Sequence, residues 1–257
     1  MRLKLQISPC PNDTFMFDAL INNRIEHPGI VFDLQFMDIE ELNSSLERGE
    51  ADISKCSYAI LNKISDNYSL LKSGSALGRG NGPLLVRRKG EQTPLRRVAV
   101  PGMNTTACLL MQRLFPEVEE LVPMLFSEVA EAVEQRVVDG GVLIHEGRFV
   151  YQRRDLELVA DLGLKWEELT NLPLPLGAIV ANRRVQKEVR VEVERLIKES
   201  IEYAFNNPLK SREFVKEHAQ ELDDEVIEKH ISLFVNRYSL ELGEEGMAAV
   251  NRLLGRV

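Results

Sequence analysis

The sequence is poor in cysteine and histidine, and both shortages narrow what the chain can be. Its 257 residues include three cysteines, one tryptophan and four histidines. Cys10, Cys56 and Cys108 are widely spaced and odd in number, which argues against a disulfide framework. They form neither a CxxC pair nor a metal-ligand cluster with the histidines. We therefore expect reduced thiols and no metal centre.

Long apolar runs and an excess of positive charge are also missing. No stretch reaches the roughly 18 apolar residues of a membrane-spanning helix. The segment from Met1 to Ser8 alternates apolar and polar residues and lacks the apolar core of a signal peptide. The formal net charge is -8, and an acidic surface repels phosphate backbones. We expect a cytoplasmic protein that neither inserts into membranes nor binds nucleic acid.

What the sequence does contain is an alternation of strand and helix patterns, which is typical of α/β proteins. Asn12 or Asp13 is the predicted N-cap of the first helix, expected at 14–24, because short polar side chains accept from the free N–H groups of a first turn. A polar segment with glycine and proline at 87–94 indicates a crossover into a second α/β series. The chain ends in a run of predicted helices.

These patterns predict two lobes. The first comprises residues 1–88 and 178–257, and the second comprises residues 92–174. Two α/β lobes joined by two crossovers, with C-terminal helices returning to the first lobe, are typical of type II periplasmic binding proteins, which close on a ligand in a cleft between the lobes. The analogy predicts a fold and a cleft without predicting a function.

One histidine occupies a position suited to chemistry. Residues 142–144 are apolar, follow a predicted glycine turn at 140–141, and predict a buried strand whose carboxyl end carries His145. Ligands of open α/β sheets bind at the carboxyl ends of strands, and the ordinary pKa of histidine, about 6.5, suits proton transfer. His145 would therefore either move a proton or cap the strand end. His218 and His230 lie on predicted helices and are expected to be structural or exposed.

Six collinear segments carry a more specific resemblance. They are 8–17 (SPCPNDTFMF), 54–58 (SKCSY), 74–80 (GSALGRG), 100–107 (VPGMNTTA), 144–149 (IHEGRF) and 172–177 (LPLPLG). Together they resemble the 1,4-dihydroxy-6-naphthoate synthase family of the futalosine route to menaquinone. The resemblance runs from Ser8 to about Glu245, which is nearly the whole chain.

The resemblance implies a lyase that converts cyclic dehypoxanthine futalosine to 1,4-dihydroxy-6-naphthoate and dihydroxyacetone, without a cofactor. It implies that His145 is the general base. It also implies substrate-binding roles for five residues: Lys55, Cys56, Ser57, Thr105 and Thr106. The small-molecule substrate is anionic while the protein is acidic, so binding needs local donors. A helix start at Thr105 and Thr106 suits a carboxylate, although ordinary capping would use the same threonines.

Two alternatives stay open at this point. Chorismate dehydratase is expected to share the fold and the pathway. A non-catalytic solute-binding protein would share the fold alone, but it would normally carry a signal peptide or a DNA-binding module. The sequence leaves the oligomeric state open.

Overall fold

A computed structural model describes residues 1–219 and 223–256, which form a mixed α/β protein of two units. The first unit comprises Met1–Gly78 and Pro175–Val257, and the second comprises Arg79–Leu174. The α/β class predicted from the sequence is confirmed. Across the described residues, none of the helices combines the length and the apolar character needed to cross a bilayer.

The described residues contain eleven strands and twelve α-helices. The strands are β1 (Arg2–Ile7), β2 (Val31–Phe36), β3 (Ile53–Ser57), β4 (Tyr68–Leu70), β5 (Ala76–Gly78), β6 (Leu84–Arg88), β7 (Arg97–Val100), β8 (Glu120–Pro123), β9 (Gly140–Leu143), β10 (Leu156–Asp161) and β11 (Leu174–Asn182). The helices are α1 (Pro11–Ile21), α2 (Ile39–Glu47), α3 (Leu61–Ile64), α4 (Thr106–Leu114), α5 (Val129–Glu134), α6 (Gly147–Val150), α7 (Leu162–Thr170), α8 (Lys187–Asn206), α9 (Pro208–His218), α10 (Asp224–Phe234), α11 (Arg237–Leu240) and α12 (Gly243–Leu254). Two short 3-10 turns lie at Tyr58–Ile60 and Tyr151–Arg153.

The first unit is built on a six-stranded sheet in the order β2-β1-β3-β11-β4, with β5 also pairing with β11. β1 runs parallel to both β2 and β3, whereas β11 is antiparallel to β3 and β4. The buried faces of β1 and α1 pack with α8 in one apolar core that includes Leu5, Phe17 and Ile197. The carboxyl ends of β1 and β3 therefore lie at the same edge of a well-packed sheet.

The second unit is built on a five-stranded sheet in the order β10-β6-β9-β7-β8. β7 is parallel to β8 and β9, whereas β6 is antiparallel to β9 and β10. Its core joins the sheet to α5 through Val86, Ala99, Val129 and Val133. The carboxyl ends of β7, β8 and β9 share one edge.

The unit boundaries differ from those expected from the sequence. The structure divides the chain after residues 78 and 174, whereas the sequence indicated breaks at 88–92 and 174–178. The reason is strand pairing: β6 bonds to β9 and β10 of the second sheet, so residues 84–88 belong to the second unit. The polar segment after β6 connects two strands of one sheet and is not a crossover.

The start of α1 also corrects an expectation. The helix begins at Pro11, with Cys10 as its N-cap, and neither Asn12 nor Asp13 caps it. Proline suits the first turn of a helix because its missing N–H would have no intrahelical partner there. Asp13 therefore lies inside the first turn, where its side chain is fully buried.

The predicted glycine turn at 140–141 is part of a strand. Both glycines lie in β9, which ends at Leu143, so His145 follows the strand by two residues instead of closing it. A Cβ atom at Gly141 would lie 2.5 Å from Val129 Cγ1 and 2.9 Å from Val133 Cγ2. The missing side chain thus lets α5 pack directly on the strand.

This close approach yields a prediction about stability. We expect Gly141→Ala to lower the free energy of unfolding by about 1–3 kcal/mol, the usual cost of overpacking a core. Urea unfolding followed by circular dichroism measures the change. Gly147→Ala is the matched control, because its Cβ would meet Leu143 at an ordinary 3.6 Å. Equal stability of the two variants would contradict the packing argument.

Candidate active site

In the first unit, two segments implicated by sequence meet at one sheet edge. The loop that begins at Ser8 follows the carboxyl end of β1, and Lys55 and Ser57 lie in the C-terminal part of the neighbouring parallel strand β3. Ligands of open α/β sheets bind beyond such ends. All three side chains are buried.

The centre of this edge is the carboxylate of Asp13, which accepts four hydrogen bonds. Lys55 Nζ lies 2.5 Å and Asn12 Nδ2 2.8 Å from Asp13 Oδ1. Ser8 donates to Asp13 Oδ2 through its hydroxyl at 2.7 Å and through its backbone N–H at 3.3 Å. A buried carboxylate is stable only when it is paired and hydrogen-bonded, and this one is both. Asp13 is therefore the anchor that the sequence had suggested as a helix cap.

Gly177 makes room for the Lys55 side chain. It lies in β11 opposite Ser57, and a Cβ atom there would be 2.6 Å from Lys55 Cε. The ammonium group is thus confined between a glycine and the Asp13 carboxylate, with 6% of the side chain exposed. All five residues of β3, a central strand of the sheet, are buried, so the Lys55 ammonium depends on Asp13 for its counter-charge.

Ser57 is fixed by a second polar side chain. Asn43 of α2 donates to Ser57 Oγ at 3.1 Å and accepts from the Ser57 backbone N–H at 2.9 Å. Because Ser57 Oγ accepts from Asn43, its own proton is left to donate. The hydroxyl is therefore oriented as a donor.

Cys56 differs from its two neighbours. Successive strand residues face opposite sides of a sheet, so its thiol lies on the face opposite Lys55 and Ser57. The thiol is fully buried, and burial raises its pKa to about 12 despite the nearby Lys55 ammonium. Cys56 is accordingly a neutral packing residue of this edge and not a nucleophile.

In the second unit, the other predicted residues follow neighbouring parallel strands. Thr105 and Thr106 come after β7, and His145 comes after β9, which pairs with β7. These residues therefore share the carboxyl edge of the second sheet. Phe126, which follows β8 on the other side of β7, contacts the His145 ring edge-on, with 5.1 Å between ring centroids.

Thr105 is the N-cap of α4. Its hydroxyl accepts from the Cys108 backbone N–H at 3.1 Å and donates to the Gly102 carbonyl at 2.8 Å. Both roles of the hydroxyl are therefore used within the helix start. Thr105 organises the first turn, and the N–H groups of that turn are what a helix start offers to an anion.

His145 has a left-handed backbone with φ of 51°. Among the described residues, three other non-glycine residues have a positive φ: Asn23, Arg136 and Asn171. Each of those follows or caps the end of a helix, where a left-handed residue satisfies helical carbonyls. His145 instead follows a strand. Strain without a capping role is typical of functional positions.

The remaining histidines have structural contacts. His218 Nδ1 lies 2.8 Å from the Phe214 carbonyl, and its ring packs on Phe36. His230 is fully buried and lies against Asn12, which sequence analysis did not anticipate. In the part of the chain that the structure describes, no group of three His, Cys, Asp or Glu side chains is arranged to hold a metal ion.

Sequence analysis missed Asp13, Asn43, Phe126 and Gly177 as parts of these edges. A signal existed for Asp13, because a run of small polar residues directly after a strand indicates a site as readily as a cap. Gly177 ends the resembling segment 172–177, but its contact with Lys55 is not visible there. Asn43 and Phe126 gave no signal, because their roles arise from contacts with residues distant in sequence.

The buried ion pair yields a prediction. We expect Asp13→Asn to lower the free energy of unfolding by about 3–5 kcal/mol, because the Lys55 ammonium would lose its counter-charge. The double variant Asp13→Asn/Lys55→Met should be less destabilised than Asp13→Asn alone. Urea unfolding of the full cycle measures the coupling. Glu120→Gln breaks the exposed pair with Arg97 and should cost no more than about 1 kcal/mol. Additive effects at Asp13 and Lys55 would contradict the assignment.

The strain at His145 yields another. A left-handed backbone destabilises the folded state by about 1–2 kcal/mol for a residue with a side chain. Glycine avoids this strain, but it loses more conformational entropy on folding, which offsets part of the gain. We expect His145→Gly to raise the free energy of unfolding by about 0.5–1 kcal/mol. Arg136→Gly, at φ of 61° after α5, is the matched control and should gain similar stability. A loss of stability in His145→Gly would show that the strain is compensated locally.

Comparison with known proteins places the chain in a family. Residues 3–257 match the model of a menaquinone biosynthesis family. The chain is 44% identical to 1,4-dihydroxy-6-naphthoate synthases of Streptomyces coelicolor and Thermus thermophilus, over 99% and 98% of its length and 92% of each relative.

Solved structures agree on the fold. A protein from Archaeoglobus fulgidus superposes with a TM-score of 0.92 at 32% identity, covering 99% of this chain and 96% of that one. A Candida albicans protein described as having the generic periplasmic binding protein fold superposes with a TM-score of 0.75 at 12% identity, covering 99% and 89%. The periplasmic-binding-protein-like fold predicted from sequence is confirmed. The chain belongs to the menaquinone biosynthesis family, together with the two 1,4-dihydroxy-6-naphthoate synthases that it resembles over nearly its whole length.

Proposed function

We propose that this protein is a carbon–carbon lyase that converts cyclic dehypoxanthine futalosine to 1,4-dihydroxy-6-naphthoate and dihydroxyacetone. The observation that carries the proposal is the 44% identity to two named synthases over almost the entire chain. The strained His145 at a sheet edge supports it, because the reaction needs a positioned base.

His145 is the proposed general base. The reaction removes a proton from the substrate and breaks a carbon–carbon bond in retro-aldol fashion, driven by aromatisation of the naphthoate ring. A neutral imidazole accepts such a proton near neutral pH. Phe126 contacts the imidazole edge-on, which limits the orientations of the ring. The left-handed backbone fixes the direction in which the side chain leaves the chain.

Within each unit, the proposed donors to the anionic substrate lie at the carboxyl ends of parallel strands. The first turn of α4, organised by the Thr105 cap and including Thr106, would hold the carboxylate through N–H groups and the positive end of the helix. In the first unit, Lys55 and Ser57 are the proposed donors to oxygen atoms of the substrate. Cys56 would contribute by packing, since its thiol lies on the opposite face of β3.

The role of His145 is tested by His145→Asn. Asparagine tolerates a left-handed backbone and keeps polarity, but it cannot take up a proton at neutral pH. We expect the variant to fold and to lose about 10²–10⁴-fold in rate, the usual contribution of general-base catalysis. Single-turnover release of dihydroxynaphthoate at saturating substrate measures the loss. His218→Asn, a half-buried histidine with structural contacts, is the matched control and should keep wild-type turnover.

The same assay separates the proposal from its alternatives. Wild-type protein incubated with cyclic dehypoxanthine futalosine should release dihydroxynaphthoate and dihydroxyacetone, and it should leave chorismate unchanged. Dehydration of chorismate would identify a chorismate dehydratase. Binding of the futalosine without turnover would identify a solute-binding protein.

A further inference from the structure

A chain of hydrogen bonds within the first unit joins helix α10 to strand β3. His230 Nε2 lies 3.0 Å from Asn12 Oδ1, and Asn12 Nδ2 lies 2.8 Å from Asp13 Oδ1. Lys55 Nζ donates to the same Asp13 oxygen at 2.5 Å. Three hydrogen bonds thus connect His230 of α10 to Lys55, a proposed substrate contact.

The direction of each link follows from the chemistry of the groups. The Asp13 carboxylate, paired with the Lys55 ammonium, only accepts hydrogen bonds, so Asn12 must turn its NH₂ group toward it. The Asn12 carbonyl oxygen then faces His230, which donates through Nε2–H. Asn12 therefore has one orientation, and His230 carries a proton on Nε2.

Burial makes this orientation matter. His230 and Asp13 are fully buried, and 5% of Asn12 and of Lys55 is exposed. Hydrogen bonds are stronger and more directional away from water, and a polar atom left without its partner there is costly. Losing the His230 donor would leave the Asn12 amide free to turn and would weaken its hold on Asp13.

We propose that His230 is a positioning residue for Lys55, acting through Asn12 and Asp13. Asp13 accepts a hydrogen bond from one of the three N–H groups of the Lys55 ammonium, which leaves the other two to donate to the anionic substrate. The inference rests on the proposed function, because the role of Lys55 as a substrate contact belongs to it. It assigns to His230 a part in binding that the sequence did not indicate.

The test is the steady-state kinetics of two His230 variants with cyclic dehypoxanthine futalosine. His230→Leu removes the donor and keeps an apolar side chain, and it should raise KM roughly ten-fold with little change in kcat. His230→Gln retains an N–H that can reach Asn12 and should restore KM toward the wild-type value. His218→Leu, outside the network, should leave both constants unchanged.

Coupling to Lys55 distinguishes positioning from general stability. In a Lys55→Gln background, which keeps a neutral donor toward Asp13, His230→Leu should have no further effect on KM. An undiminished rise in that background, or an unchanged KM in folded His230→Leu, would overturn the proposal. Should His230→Leu fail to fold by circular dichroism, Asn12→Ala breaks the same chain and must give the same KM result.

Failure of the proposed function gives a different result. If the wild-type protein turns over the futalosine and His230→Leu leaves KM unchanged, only the positioning role is lost. If the wild type does not turn it over, the proposed function fails. The positioning role then depends on calorimetric binding of 1,4-dihydroxy-6-naphthoate, which His230→Leu must weaken and His230→Gln restore. Absence of that binding overturns both.

Discussion

The sheet edge of the first unit depends on the buried carboxylate of Asp13. Asp13 carries a carboxylate into the first turn of α1, where it has no access to water and must find its partners within the protein. Four donors supply them, and each comes from a residue whose position is thereby fixed. Ser8 donates to Oδ2 of the carboxylate, and Asn12 and Lys55 donate to Oδ1. The same interaction that stabilises the helix start also keeps an ammonium group at the edge of the sheet.

A different constraint acts in the second unit. Parallel strands β7, β8 and β9 end at one edge, so the segments that follow them lie close together. Thr105 caps α4 directly after β7. Phe126 packs against the imidazole of His145. His145 adopts a strained left-handed backbone at this edge. Both units therefore present polar side chains at the ends of parallel strands, one through a buried charge and the other through local strain.

Much of the fold followed from local patterns, because strands and helices here have clear apolar periodicity. The α/β class and the helical tail needed only that information. The failures were equally physical. Asn12 and Asp13 have the side chains of helix caps, and only the long-range pairing with Lys55 shows that Asp13 turns inward. Gly140 and Gly141 resemble a turn until the packing of α5 is known. The pairing of β6 with β9 and β10, which moved a unit boundary, is likewise a contact between distant segments.

The candidate residues of the two units show the same division between local and distant information. The type of residue at 55, 57, 105 and 145 was visible in the sequence, but the state of each side chain was not. Whether a lysine is solvated or held by a carboxylate 42 positions away is decided by tertiary packing. The periplasmic-binding-protein-like fold is shared at 12% identity, so it specifies where strands end and not what stands there. On such a fold, a few buried polar contacts therefore convert ordinary strand-end residues such as Lys55 and Ser57 into oriented donors.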